Sequence, residues 1–329
     1  MLCFCFVITT KIYIMANTHD LFQEFNSQLH ITQTKKDRLI KSRDNLRGKI
    51  ESYFRDNHPR YHPSFWIQGS YKMNTMIRTK DDTCDLDDGV RFDGNPDKVS
   101  CTTLQSWVKQ AVEGTTDSIS HRKKCITVDY KADYNIDLPV YVYNKNEDSH
   151  PLLAVKDGDW REDDPEEMVD AFNTVKDENG QLLRLVRYLK AWANNKGDNM
   201  PSGLALTILA MSNFTTNNRD DVALKFTLIE IEKALKIRFV CIVPATPNDN
   251  IFAEYSASRQ DNFMNKLSAF IEDAKKAVDE KNYKKASELW RKHLGDRFPI
   301  GKDEDEKAAS AATIAPIIGH SKPYYDEKL

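Results

Sequence analysis

The stretch that most constrains this chain runs from Ser64 to Phe92. Residues Ser64-Phe-Trp-Ile-Gln68 are rich in aromatic and β-branched side chains and read as a strand. Gly69-Ser70 then turns the chain into a short helical segment, expected over Tyr71 to Ile77. A Gly-Ser turn at a helix start presents free backbone N–H groups and a hydroxyl, which suit phosphate. Asp85 to Phe92 reads as the next strand, with Asp85 and Asp87 two residues apart. Period-2 alternation puts both carboxylates on one face and Asp88 on the other. Two adjacent carboxylates suit Mg²⁺ (or Mn²⁺) carried with a triphosphate, because such hard ions take oxygen ligands and keep several waters. Asp137 interrupts the apolar, strand-like run Tyr134 to Tyr143. A carboxylate there is costly unless it is paired or bound to metal, so it is the third candidate ligand. Two ions held by such a set stabilise the attacking and leaving oxygens of phosphoryl transfer. The bland readings are a plain strand-to-helix turn at Gly69-Ser70 and a solvated acidic turn of Asp85, Asp87 and Asp88, with Asp81 and Asp82 nearby. Asp129 and Asp133 read as surface carboxylates facing solvent or local lysines.

With Gln68-Gly69-Ser70, Asp85-Leu86-Asp87-Asp88-Gly89 and Asn135-Ile-Asp137-Leu-Pro-Val-Tyr141, the chain resembles nucleotidyltransferases of the polymerase-β superfamily. More narrowly it resembles the bacterial cGAS/DncV-like nucleotidyltransferases (CD-NTases) of CBASS anti-phage systems. Arg187-Tyr-Leu-Lys190-Ala-Trp192 and Pro201-Ser202-Gly203 fit the same pattern. The resemblance covers roughly residues 20–300. It implies a two-lobed α/β (α+β) fold, with a mixed sheet in the N-terminal lobe and a helical C-terminal lobe. It implies Asp85, Asp87 and Asp137 as catalytic and metal-binding residues, and Gln68, Gly69, Ser70, Lys190 and Ser202 as nucleotide-binding. It further implies NTP substrates (ATP, with GTP or a pyrimidine NTP), a cyclic di- or trinucleotide product, an effector reached through that product, and CBASS accessory proteins. A template-free RNA-tailing enzyme of the same superfamily and a silent nucleotide-binding protein are the alternatives.

Charge weighs against the tailing alternative. The 47 Lys and Arg against 50 Asp and Glu leave a formal net charge of −3, without the basic excess usual for a nucleic-acid-coating surface. The animal cyclic GMP-AMP synthase carries a His/Cys zinc thumb used with DNA. Here Cys3, Cys5, Cys84, Cys101, Cys125 and Cys241 form no C-x-x-C pair and no zinc-spaced Cys/His cluster. No DNA requirement is therefore expected, and the dispersed thiols fit a reducing cytoplasm.

The remaining chain divides as follows. Residues 1–14 are apolar, too short for a membrane span, and without the features of a signal peptide. They read as an extension upstream of Met15. Residues 15–165 are expected to form the nucleotidyltransferase lobe, with a long helix from Lys35 to Asn57 that Thr34 could cap. Residues 166–300 are expected to form the helical lobe, where Arg184, Arg187 and Lys190 line one face of a helix and are usable for phosphates. His121-Arg-Lys-Lys124 is either a surface turn or a phosphate contact. Residues 301–329 read as a polar, flexible tail.

Overall fold

The computed structural model describes residues 15–131 and 133–303. The expected extension 1–14 and all but the start of the expected tail lie outside them. Helix α1 (His19–Leu29) presents Leu21, Phe22, Phe25 and Leu29 on one buried stripe. Helix α2 (Gln33–Asn57) follows, burying Leu39, Leu46, Ile50 and Phe54 at helical spacing. Its cap is Thr32, not Thr34. Thr32 has the extended backbone of an N-cap, and its hydroxyl accepts from Lys35 N.

Strand β1 (Pro63–Gln68) leads into a single helical turn, α3 (Gly69–Lys72), and β2 (Asp85–Phe92) returns antiparallel to β1. The helix expected to reach Ile77 stops early, because Asn74 takes a left-handed φ of 55° and ends the helical hydrogen bonding. After α4 (Cys101–Val112) come β3 (Ser118–His121), β4 (Cys125–Asp129), β5 (Asn135–Val142), β6 (Leu152–Leu153) and β7 (Arg161–Glu162). The mixed sheet has the order β1-β2-β5-β4-β3, with β6 paired to β5 and β7 to β6. Among the described residues only the central β2–β5 pair is parallel, joined by the α4–β3–β4 crossover. Helices α5 (Pro165–Val175), α6 (Gln181–Lys196), α7 (Gly203–Asn213), α8 (Asp220–Ile237), α9 (Ala257–Asp279) and α10 (Tyr283–Leu294) complete the chain.

Two apolar clusters hold these elements. One joins α2 and α4 to the sheet through residues such as Phe54, Val90, Leu104 and Ile136. The other joins α1 to α5–α10 around Phe22, Tyr188, Trp192, Phe270 and Trp290. Each large side chain fully buried in these clusters contributes about 1.5–3 kcal/mol. The segment 15–29, expected with the sheet, packs with the C-terminal helices instead. Thr18 donates to Asp221, and Tyr188 donates to the Phe22 carbonyl and to Asp220. The chain thus crosses early from one apolar core to the other, and α2 runs back along the sheet. Among the described residues no helix is long and apolar enough to cross a membrane.

Candidate active site

The site begins with the register of the two central strands. Asp87 pairs with Asp137, and Asp85 pairs with Asn135, across the parallel β2–β5 ladder. Because alternate residues share a face, Asp85, Asp87 and Asp137 emerge together. Asn135 Nδ2 donates to Asp85 Oδ1 at 3.1 Å, and the Thr127 hydroxyl donates to Asp137 Oδ1 from the opposite neighbour, β4. Asp88 points the other way, as alternation requires. It is fully buried under α2, where Arg47 Nε reaches Asp88 Oδ2 at 2.8 Å and Arg47 Nη2 reaches Oδ1.

The exposed face of this ladder carries unbalanced negative charge. Burial pushes the Asp87 carboxyl up to about 7, the charges of Asp137 and Asp85 add to the rise, and Lys190 opposes it. Asp85 is raised too, chiefly by burial; the Asn135 hydrogen bond opposes this and Asp137 adds to it.

Gln68, at the end of β1, pairs with Asp87 in register. Gly69 follows with a left-handed φ of 61°, and a side chain there would run into the Asp87 carboxylate. Only glycine allows the backbone this close to the acidic pair. The turn after it is tied by Ser70 O, which accepts from Thr75 N at 2.8 Å and Met76 N at 3.1 Å.

Lys190 of α6 closes the site from the helical side. Its ammonium donates to Thr75 O at 3.1 Å and Thr75 Oγ1 at 3.0 Å. Burial pulls its pKa down to about 7, Asp87 counters that, and Arg187 adds to it. Lys190 belongs with Gln68, Gly69, Ser70, Asp85, Asp87 and Asp137 to the lining of one cleft of about 650 Å³. Ser202 stands at its edge. Pro201 and Gly203 line the cleft, while the exposed Ser202 caps α7 by accepting from Ala205 N at 3.2 Å.

Two expected phosphate ligands are occupied elsewhere. Arg184 pairs with the fully buried Asp220 at 2.7 Å, and Arg187 donates to Asn26 Oδ1 and the Asn74 carbonyl. Both tie α6 to its neighbours. Arg122, Lys123 and Lys124 form the exposed turn between β3 and β4, the surface-turn reading. Asp133 pairs with Lys35 and Arg38 at the start of α2.

Sequence reading passed over two cleft features. Asp163 lines the cleft and accepts from the Tyr141 hydroxyl at 2.9 Å, with its carboxyl raised by burial. Thr75 lies behind the cleft wall, with no exposed surface. Neither has a motif; each is identified by contacts across many residues.

The oxygen donors of Asp85, Asp87 and Asp137 fit a divalent cation by chemistry and by charge, since a raised carboxyl beside two others is relieved by a cation. They do not yet converge. Among the described residues, the ligand atoms drawn within 4.8 Å of one another belong to His150, Asp164 and Glu167. That set is engaged structurally: Asp164 caps α5, and Glu167 accepts from Thr246 N.

Residues 63–141, which carry Gly69-Ser70 and all three aspartates, match the family described as cyclic GMP-AMP synthase DncV-like, nucleotidyltransferase domain. Residues 63–141 are a DncV-like nucleotidyltransferase domain. A curated relative, a cyclic GMP-AMP synthase of Escherichia albertii, is 29% identical over 208 residues. The match spans 57% of this chain and 45% of that relative, so the chain covers about half the relative's length. The fold around the DncV-like domain is similar to solved structures of the Vibrio cholerae enzyme. Its cyclic AMP-GMP synthase crystal structure matches with a TM-score of 0.75 at 18% identity, covering 86% of this chain and 97% of that one. The complex with a linear intermediate gives 0.74 at 20% identity, covering 88% and 100%.

Proposed function

We propose that this chain is a cyclic oligonucleotide synthase, joining NTPs into a cyclic di- or trinucleotide second messenger. The observation that carries the reading is the in-register pair Asp87–Asp137, faced by Gly69-Ser70 on one side and Lys190 on the other. Support comes from the relative named cyclic GMP-AMP synthase and from the Vibrio cholerae structures named for bound GTP and a linear intermediate. ATP and GTP are accordingly the first substrates to test.

Asp85, Asp87 and Asp137 would hold Mg²⁺ or Mn²⁺, which when bound supplies positive charge at the reacting phosphate and at the pyrophosphate leaving group. The other roles belong to the chain. Gly69 and Ser70 bring backbone N–H groups to the triphosphate without a side chain in the way. Lys190 adds a cation from the opposite wall. Asp137 accepts the proton of the attacking ribose hydroxyl. The Asp85, Asp87 and Asp137 set forms every bond in this reading, so the linear intermediate re-enters with its own triphosphate at the acidic face. In cyclisation the free ribose hydroxyl attacks the α-phosphate of that triphosphate, so pyrophosphate leaves and the α-phosphate stays in the ring. The resemblance to CD-NTases supports reading the product as an anti-phage signal made in the cytoplasm and sensed by a separate effector.

Incubating the purified protein with four α-labelled NTPs and Mg²⁺ tests this reading. A small cyclic product supports it. Extension of added RNA supports the tailing alternative, and no turnover with any NTP supports a silent binding protein.

A further inference from the structure

Lys190 lines the cleft, but its ammonium rests on a residue that does not. Thr75 is completely buried, and 115 positions separate it from Lys190 in the chain. Two of the three ammonium N–H bonds end on it, one on its carbonyl and one on its hydroxyl. Thr75 N in turn donates to Ser70 O at 2.8 Å. The next residue back, Asn74, holds a left-handed φ of 55° and gives its carbonyl to Arg187, one turn before Lys190 on α6. The turn after Ser70 is therefore fixed to α6 at two successive residues. One N–H of Lys190 remains for a ligand, and Asp87 draws the same ammonium toward the acidic face.

We propose that Thr75 is the positioning residue of this site. It sets where the Lys190 ammonium stands relative to Ser70, so that both engage one triphosphate. This rests on the nucleotide-binding reading above and extends it to a residue that never touches the nucleotide. The hydroxyl is the specific part, because any residue at position 75 supplies the carbonyl. Without the hydroxyl the ammonium is held at a single point and is free to swing away from the position it needs.

The test compares Thr75→Val, Thr75→Ala and Thr75→Ser with wild type by calorimetric titration with GTP, ATP and the corresponding nucleosides in Mg²⁺. Melting temperatures are recorded in parallel. Val keeps the shape and deletes the acceptor; Ser keeps the acceptor. The expected result is a roughly tenfold loss of triphosphate affinity in Val and Ala, the size of one charge-assisted hydrogen bond. Ser should restore it, and nucleoside binding should not change. In a Lys190→Ala background, Thr75→Val should cost nothing further, because the two act as a unit. Unchanged triphosphate affinity in both Val and Ala overturns the proposal, as does a loss that simply adds to that of Lys190→Ala. If wild type binds neither GTP nor ATP, the nucleotide reading fails and this one falls with it. If wild type binds them and the Thr75 variants match it, only this inference falls.

Discussion

Gly69 and Asp87 occupy the same small space: a Cβ on Gly69 would overlap Asp87 Oδ2 and stand 3.1 Å from its Cγ. The Gly69 turn therefore packs directly against the acidic ladder. Gly69→Ala combines this overlap with a left-handed φ that L-residues avoid, at a cost of about 1–2 kcal/mol for the φ alone. The expected outcome is a lower melting temperature and near-complete loss of nucleotide turnover. Ala at Gly114, which also has a positive φ but has no neighbour within 4 Å of a Cβ, should lower stability and spare turnover. The pair of variants, measured by thermal melting and pyrophosphate release, separates strain from overlap.

Three aspartates in one strand should give two opposite results. Asp85→Ala with Asp87→Ala should abolish turnover and leave the melting temperature equal or higher, because carboxyls raised by burial and mutual repulsion are removed. Asp88→Ala should instead unfold the protein partly. It strands the Arg47 guanidinium beneath α2, and breaking a buried pair costs about 3–5 kcal/mol. Chemical denaturation of both variants checks this, and an Asp88 variant as stable as wild type would contradict it.

These strand assignments were legible because alternation is local. The run Asp85-Leu-Asp-Asp-Gly-Val-Arg-Phe92 contains its own inside and outside, and β2 begins and ends at the residues expected. Asp137 was legible for the same reason. What could not be read depends on distant partners. Nothing near Thr75 signals that a lysine 115 positions later will rest on it. Arg184 and Arg187 share a helix face with Lys190, but the partners of that face come from α1, α8 and the Asn74 turn. The stripe on α1 is equally apolar whichever core it joins. Thr32 and Thr34 are both acceptable caps in sequence, and only the backbone entering α2 selects between them.

Lys190→Ala should weaken triphosphate binding by about 1.5–3 kcal/mol, the value of a charge-assisted contact, and raise KM far more than it lowers the melting temperature. A KM within twofold of wild type would leave Lys190 as a brace for the Thr75 turn alone.

His293 predicts a pH effect remote from the cleft. Its ring is 2% exposed, stacks on Phe270 with centroids 4.5 Å apart, and its Nε2 lies 2.8 Å from Asp273 Oδ2. Burial drives its pKa down to about 4, although the Asp273 hydrogen bond opposes this. The neutral ring then donates Nε2–H to the carboxylate. In the unfolded chain His titrates near 6.5, so the unfolded state binds the extra proton first as pH falls. Stability should be full above about pH 6.5 and decline toward pH 4, by roughly 2–3 kcal/mol for this group. His293→Gln should flatten that limb in urea denaturation at stepped pH; an unchanged slope would contradict the assignment.

The measurement that bears most directly on the central claim is the fate of label from α-labelled ATP and GTP after phosphatase treatment, for wild type and for Asp85→Ala with Asp87→Ala. A cyclic product has no terminal phosphate. The account predicts a phosphatase-resistant species of two or three nucleotides from wild type, absent from the variant, with pyrophosphate released in step. Label recovered wholly as long polymer, or as a linear species whose 5′-triphosphate is removed by phosphatase, would contradict it.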